Sequence, residues 1–243
     1  GMSFTLSGGE ILGVAGIAGS GQKELCEIIA GMQRASSGEI VFQGESILGK
    51  PPAEIIRRGI QMSFIPEDRL GMGLVAGMDI VENVMLKTFR RGKTPFIDRS
   101  SGRRDAERIV RDYSIDTPSV SHIVKKLSGG NIQKAIVARE FKAPSDLLVL
   151  NQPTRGVDVG AMEYIHHRLL EKITAYNNVP SVPTSPRVLG ENMCVPYGKI
   201  FADAIVPNTV TKTLHVEKCY VPDVRSFTIE EYPDYSPLPS QVR

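Results

Sequence analysis

Gly16-Ile17-Ala18-Gly19-Ser20-Gly21 follows a short apolar run and precedes a helical pattern. In that setting glycines let successive backbone N–H groups turn inward around anionic oxygens. The helix that follows adds the positive end of its dipole. This is phosphate-binding chemistry. A loop that also turns over a triphosphate continues with Lys and then Ser or Thr, the lysine for the β- and γ-phosphates and the hydroxyl for Mg²⁺. Here Gln22 and Lys23 hold those positions, with Glu24 next. One step along a helix turns a side chain by about 100°, so the displaced Lys23 ammonium is expected to point away from where the lysine is needed. Backbone binding of phosphate survives these exchanges more easily than catalysis does. A tight strand-to-helix turn that holds no ligand is the other reading of this loop.

Leu127-Ser128-Gly129-Gly130-Asn131-Ile132-Gln133-Lys134 is a second anion-binding pattern. Two glycines and a serine at a helix start bring N–H groups, a hydroxyl and the dipole to one side. In isolation the segment reads equally as an ordinary helix cap. Further on, an apolar run ends in Asn151-Gln152-Pro153-Thr154-Arg155-Gly156-Val157-Asp158.

These residues need a scaffold. Residues 10–15, EILGVA, and 146–150, DLLVL, are short, apolar and bounded by turn residues, as strands buried on both faces are. Gly38 to Gln43 and Met62 to Ile65 read as further strands. Leu25, Ile28, Ile29 and Met32 fall on one helix face, as do Ala106, Ile109, Val110 and Tyr113 within 103–113. A helix is expected from Asn131 to Phe141, and Met162, Ile165, Leu169 and Ile173 mark another. Strands alternating with helices predict an α/β fold with a mainly parallel sheet. Residues 72–140 read as a mostly helical insertion into it.

Composition sets outer bounds. The chain has 243 residues, 29 Lys and Arg against 27 Asp and Glu, and a net charge of +2. That balance gives no reason to expect a nucleic-acid partner. The sequence contains no apolar run approaching the ~20 residues that span a bilayer. Cys26, Cys194 and Cys219 are too far apart for a disulfide framework or zinc ribbon. The averages conceal a seam: of 23 glycines only Gly190 and Gly198 lie after residue 173, against nine of 16 prolines. Residues 1–173 and 174–243 therefore read as separate units, the second irregular or β-rich. Pro180, Pro183 and Pro186 read as a linker, and residues 209–221 and 226–232 have strand composition.

Four segments, in order, resemble the nucleotide-binding domain of ABC transporters: GIAGSGQKEL as Walker A, FIPEDRLGMGL in the Q-loop region, LSGGNIQK as the signature, and LLVLNQPTRGVDVGA as Walker B with the D-loop. The likeness covers about residues 3–173. It points to a P-loop NTPase-like core with a helical subdomain at about 72–140. Within the family it is nearest the second ATPase half of double-domain proteins that energise sugar and nucleoside importers. The resemblance implies ATP with Mg²⁺ as cofactors, a second ABC domain, transmembrane permease subunits and a substrate-binding protein as partners, and a peripheral place on the cytoplasmic side of the membrane.

The departures are specific. The family's Walker B ends in an Asp–Glu pair that orients Mg²⁺ and polarises the attacking water, and here Asn151 and Gln152 stand there. An amide is a poor metal ligand and cannot act as a general base. Glu67 replaces the Q-loop glutamine. The family's switch histidine is expected on a strand after Ile173, and no such strand is evident. The aromatic that stacks on adenine lies upstream in the family and has no counterpart here. Gly1 and Met2 read as cloning residues, and the chain as a fragment.

The implied role follows from what is kept. Paired head to tail, such domains sandwich each ATP between one Walker A and the other's signature. This chain would give Ser128, Gly129, Gly130 and Asn131, with Asp158 of the D-loop, to its partner's site. Its own loop (Gly16, Gly19, Ser20, Gly21, Gln22, Lys23, Glu24) would form a degenerate site with weak or no Mg²⁺ and no metal ligand of its own. Two other readings stand beside it: a slow ATPase recruiting Lys23 and Glu67, and a regulatory ABC module outside transport. Adjacent His166 and His167 point to different sides of a helix and read as solvated. The pairs Arg57-Arg58, Arg90-Arg91 and Arg103-Arg104 read as solvated faces, and Met72, Met78 and Met85 as core filling. Arg69 lies in the segment that faces the membrane subunit in this family.

Overall fold

The computed structural model describes residues 2–8, 12–14, 19–88, 98–142, 145–176, 187–189, 203–207 and 213–220. In chain order the elements are β1 (Met2–Ser7), β2 (Leu12–Val14), α1 (Gln22–Ile29), β3 (Ser37–Phe42), β4 (Glu45–Ser46), α2 (Pro52–Arg57) and β5 (Met62–Ile65). A π-helical turn, Arg69–Gly73, leads to α3 (Ile80–Met85), α4 (Arg99–Asp112), a 3₁₀ turn at Val124–Lys126 and α5 (Gly129–Lys142). Then come β6 (Leu147–Asn151), α6 (Val159–Tyr176), β7 (Arg187–Leu189), β8 (Asp203–Pro207) and β9 (Thr213–Tyr220).

β6 organises the packing. All five of its residues are buried, and their side chains alternate between two apolar cores. Leu148 and Leu150 join the core built with α3, α4, α5 and α6. Leu147 and Val149 join the core with α1, β1, β2, β3 and β9. Each such fully buried side chain contributes roughly 2 kcal/mol. An uninterrupted apolar run is what a strand covered on both faces requires.

The sheet around β6 has the order β5-β6-β8-β2-β7. β5 pairs with β6, and β2 with β7, in parallel, while β8 runs antiparallel to both β6 and β2. Four of the five strands thus share one direction, which is the mainly parallel core the sequence predicts. A second sheet, β1-β9-β3-β4, is antiparallel throughout. Its register sets Leu214 between Leu6 and Phe42, and Val216 between Phe4 and Ile40. Aligned apolar pairs of this kind fix the register, because a one-residue slip would turn the row to the opposite face.

The helical stretch expected over 72–140 is present, and its ends are set by carboxylates. Asp79 and Glu82 form a reciprocal capping box on α3. Asp98 Oδ1 accepts from Ser100 N at 3.0 Å and Ser101 N at 3.1 Å, so α4 starts at Arg99 rather than 103. Among the described residues no helix is long and apolar enough to cross a membrane.

Several expectations need correction. The strand judged missing after Ile173 exists: β7 lies beside β2, although Arg187-Val188-Leu189 contains no histidine. The compositional seam does not coincide with a break in pairing, because β7, β8 and β9 hydrogen-bond to strands from before it. Met32 lies beyond the end of α1 and is 41% exposed, since the chain turns away at Gly31. Met72 is also 41% exposed, whereas Met85 is core. Cys194, the proline triplet, and the strand expected at 226–232 lie outside the described residues.

Candidate functional site

The glycine-rich turn is described from Gly19 onward, and Gly16, Ile17 and Ala18 lie outside the described residues. Gly19 has φ +84° and Gly21 φ +99°, left-handed backbone that a side chain would strain. Gly21 is the N-cap of α1 and offers no side chain to its first N–H groups. Gln22, at the lysine position, is only 8% exposed. It is packed into the protein. Glu24 is half-buried.

Lys23 is half exposed, its Nζ 3.9 Å from Glu27 Oε1 one turn along the helix. Burial pushes the Glu27 carboxyl up from its ordinary range, and the Lys23 charge pulls against that. Lys23 nevertheless faces a cleft of about 320 Å³, lined also by Glu67, Asp68, Arg69, Arg155 and Gly156. The structure therefore brings Lys23 and Glu67 into one site. It also brings in Arg155, whose guanidinium forms an ion pair with Glu67.

The three residues of the Glu67-Asp68-Arg69 segment do different jobs. Glu67 meets Arg155. Asp68 Oδ1 accepts from Gly71 N at 2.8 Å and Leu70 N at 3.2 Å, which holds the π-helical turn. Arg69 turns inward: Nη1 donates to Gly129 O at 3.1 Å, and Nη2 to Gly156 O at 3.2 Å and to Arg155 O. One guanidinium thus ties the Q-loop region to the signature helix and to the turn after Walker B. Sequence reasoning missed this role for Arg69 and any role for Arg155. Both stood in the quoted motifs, but only tertiary approach reveals their partners.

β6 delivers Asn151 to its end, 1% exposed, with neither Oδ1 nor Nδ2 hydrogen-bonded among the described residues. α1 packs over that strand, with Cys26 Sγ 4.0 Å from Leu150 O. Gln152 follows in left-handed backbone at φ +47°, unusual for a side chain of its kind. Strained backbone of this sort clusters at functional turns.

The signature opens α5. Ser128 Oγ accepts from Asn131 N at 3.3 Å and from Asn131 Nδ2 at 3.0 Å, while Asn131 Oδ1 accepts from Asp116 N at 3.0 Å. Ser128 itself is exposed. Asp158 Oδ1 accepts from Ala161 N at 2.9 Å and caps α6. A Cβ on Gly130 would lie 3.1 Å from both Ala161 Cβ and Asp158 Oδ2, so that glycine lets the starts of α5 and α6 meet closely. Ser128, Gly130 and Asn131 do not line the cleft of Lys23; Gly129 reaches it only through Arg69. His167 is exposed, 3.7 Å from Glu171, and burial lowers the His166 pKa. Among the described residues no cluster of His, Cys, Asp or Glu is placed to hold a metal ion.

A glycine turn opening α1, a buried strand ending over it and a sheet of mostly common direction define an α/β domain of the P-loop NTPase class. The chain belongs to the ABC transporter family, whose profile matches residues 1–155. It is 40% identical over 174 residues to the nucleoside import ATP-binding protein NupA of Lactococcus lactis subsp. cremoris, covering 70% of this chain and 34% of NupA. To the ribose import ATP-binding protein RbsA 1 of Rubrobacter xylanophilus it is 40% identical over 176 residues, covering 71% and 34%. The chain spans about a third of the length of the curated relatives it matches. A dimeric ATP-binding cassette in a post-hydrolysis state, bound to ADP and Pi, superposes with a TM-score of 0.61 at 19% identity, over 74% of this chain and 80% of that one. That likeness is one of fold.

The family implies ATP and Mg²⁺, and the residues fit them unequally. Backbone N–H groups at Gly21 and the start of α1 suit a phosphate tail. The donor set does not suit a divalent metal. Lys23 stands where a hydroxyl would ligate it, Asn151 where a carboxylate would, and Glu67 is held by Arg155.

Proposed function

We propose that this domain is an ATP-binding half of an importer for sugars or nucleosides, lending its LSGGN signature to a partner domain's ATP while its own site binds nucleotide with little turnover. The observation that carries this reading is a division within the site. Ser128 is exposed at a helix start braced by Arg69, Asn131 and Asp116, whereas Asn151 and Gln152 lack the carboxylates that turnover needs. Preorganised donors of the first kind stabilise charge on a transferring phosphoryl group and alone are worth several kcal/mol of barrier.

The chain would act on the cytoplasmic side of the membrane, against permease subunits fed by a substrate-binding protein. The import proteins it matches support this placement, as does the sequence of motifs. The rival reading, a slow ATPase recruiting Lys23 and Glu67, is disfavoured because Asn151 and Gln152 leave no Walker B carboxylate to hold Mg²⁺.

The test is ATP hydrolysis by the purified chain. Negligible turnover is expected, and robust Mg²⁺-dependent turnover removed by Gly19→Asp would refute the degenerate site. In an assembled transporter Ser128→Arg should abolish hydrolysis, and normal activity there would refute the role in trans.

A further inference from the structure

Three cations, Lys23, Arg69 and Arg155, and two carboxylates, Glu67 and Asp68, line the cleft beside α1. Their partners differ. Arg69 is engaged with three backbone carbonyls, and Asp68 with two backbone N–H groups. Among the described residues Lys23 has only a 3.9 Å contact to Glu27, and it is half exposed. Arg155 is more than half exposed, and its ion pair with Glu67 spans the cleft lining. Two cations are therefore positioned to exchange their present partners for an anion. At the end of β6, Asn151 keeps a buried amide whose N–H has no partner among the described residues. An amide can donate to a phosphate oxygen, which an aspartate at that position cannot do.

We propose that this cleft takes a nucleoside triphosphate free of divalent metal, with Lys23 and Arg155 supplying the charge that the metal would otherwise bring. The inference rests on the nucleotide-binding reading above and sharpens it. A lysine at the hydroxyl position repels a divalent cation and attracts the same phosphate oxygens. A guanidinium grips those oxygens through two parallel N–H donors. Glu67 is the competitor. In the absence of nucleotide it holds Arg155, and the triphosphate tail displaces it.

The experiment is calorimetric titration of the whole chain with ATP, once in EDTA and once in excess Mg²⁺. The dissociation constant in EDTA should equal or fall below that in Mg²⁺. Arg155→Ala and Lys23→Ala should each weaken binding in EDTA by about tenfold, roughly the loss of one charge-assisted contact. Glu67→Gln should tighten it several-fold, an opposite-sign effect that misfolding cannot imitate. Binding at least tenfold tighter with Mg²⁺, or an Arg155→Ala variant that binds like the parent, overturns the metal-free site. Absence of binding in both conditions removes the nucleotide reading itself.

Discussion

Arg69 donates from Nη1 to the carbonyl oxygen of Gly129 at 3.1 Å, and a Cβ placed on Gly129 would lie 2.7 Å from that same nitrogen. The first glycine of the signature is thus the residue that admits the guanidinium. The contact links the segment following β5 to the start of α5, across sixty positions of sequence. Because Nη2 also serves Arg155 O and Gly156 O, removing the side chain strips partners from three carbonyls together.

Arg69→Ala is expected to cost about 1–2 kcal/mol, the range for hydrogen bonds to a charged group near the surface. Arg69→Lys should recover little, because an ammonium cannot reproduce the fork. Gly129→Ala should displace the arginine and cost about 1 kcal/mol, but much less in an Arg69→Ala background. Urea unfolding of the four proteins checks this, and strictly additive losses would show that the two residues act independently.

Glu140 is a second organising charge, 1% exposed on α5. Oε1 accepts from Arg139 Nε at 3.1 Å and Nη2 at 3.0 Å; Oε2 accepts from Phe64 N at 3.2 Å and pairs with Lys87. Glu140→Gln should destabilise by about 3 kcal/mol, since it leaves the buried Arg139 cation uncompensated. Arg139→Met combined with Glu140→Leu should restore part of that loss, because it removes the buried cation but leaves Phe64 N without its acceptor. A double variant no more stable than Glu140→Gln would contradict this account.

The parts of the molecule legible in sequence are those whose signal is local. Leu147 to Leu150 declare a buried strand by themselves, and Gly19 to Gly21 declare a turn into a helix. The second sheet is different. Leu214 and Val216 alternate with His215 and Glu217 as a strand should, but their choice of β1 and β3 as partners is a long-range decision that no local pattern encodes. β7 has three residues, too few for periodicity to register. The pairing of Arg155 with Glu67, and of Arg69 with Gly129, depends on three loops meeting, and so appears only once the strands have placed those loops. The motif segments were readable; the bonds between them were not.

His166 gives the fold a pH-dependent increment. Burial lowers its pKa below the ordinary 6.5, so the folded state resists a proton that the unfolded chain accepts. Its contribution is present above about pH 6.5 and is lost as pH falls through that value toward the folded pKa. The urea midpoint of the parent should therefore drop more between pH 7.5 and pH 5.5 than that of His166→Gln. Parallel drops in the two proteins would exclude His166 as the source.

Asn151 carries a cost in the ground state. A buried amide with neither Oδ1 nor Nδ2 partnered among the described residues forfeits hydrogen bonds that it makes to water when unfolded. Asn151→Leu keeps the branched four-atom shape and removes that penalty but is bulkier, so overpacking offsets part of the gain and stability should rise by about 1 kcal/mol. Asn151→Asp should act in the opposite direction at neutral pH, because it buries a carboxylate that no hydrogen-bond donor meets among the described residues. The same Asn151→Leu variant should bind ATP more weakly if that unpartnered amide N–H at the end of β6 takes part in binding. Thermal unfolding with and without ATP separates the two effects: a higher Tm alone, but a smaller ligand-induced shift than the parent. A variant that is more stable and shifts equally with ATP would mean the amide has no part in binding.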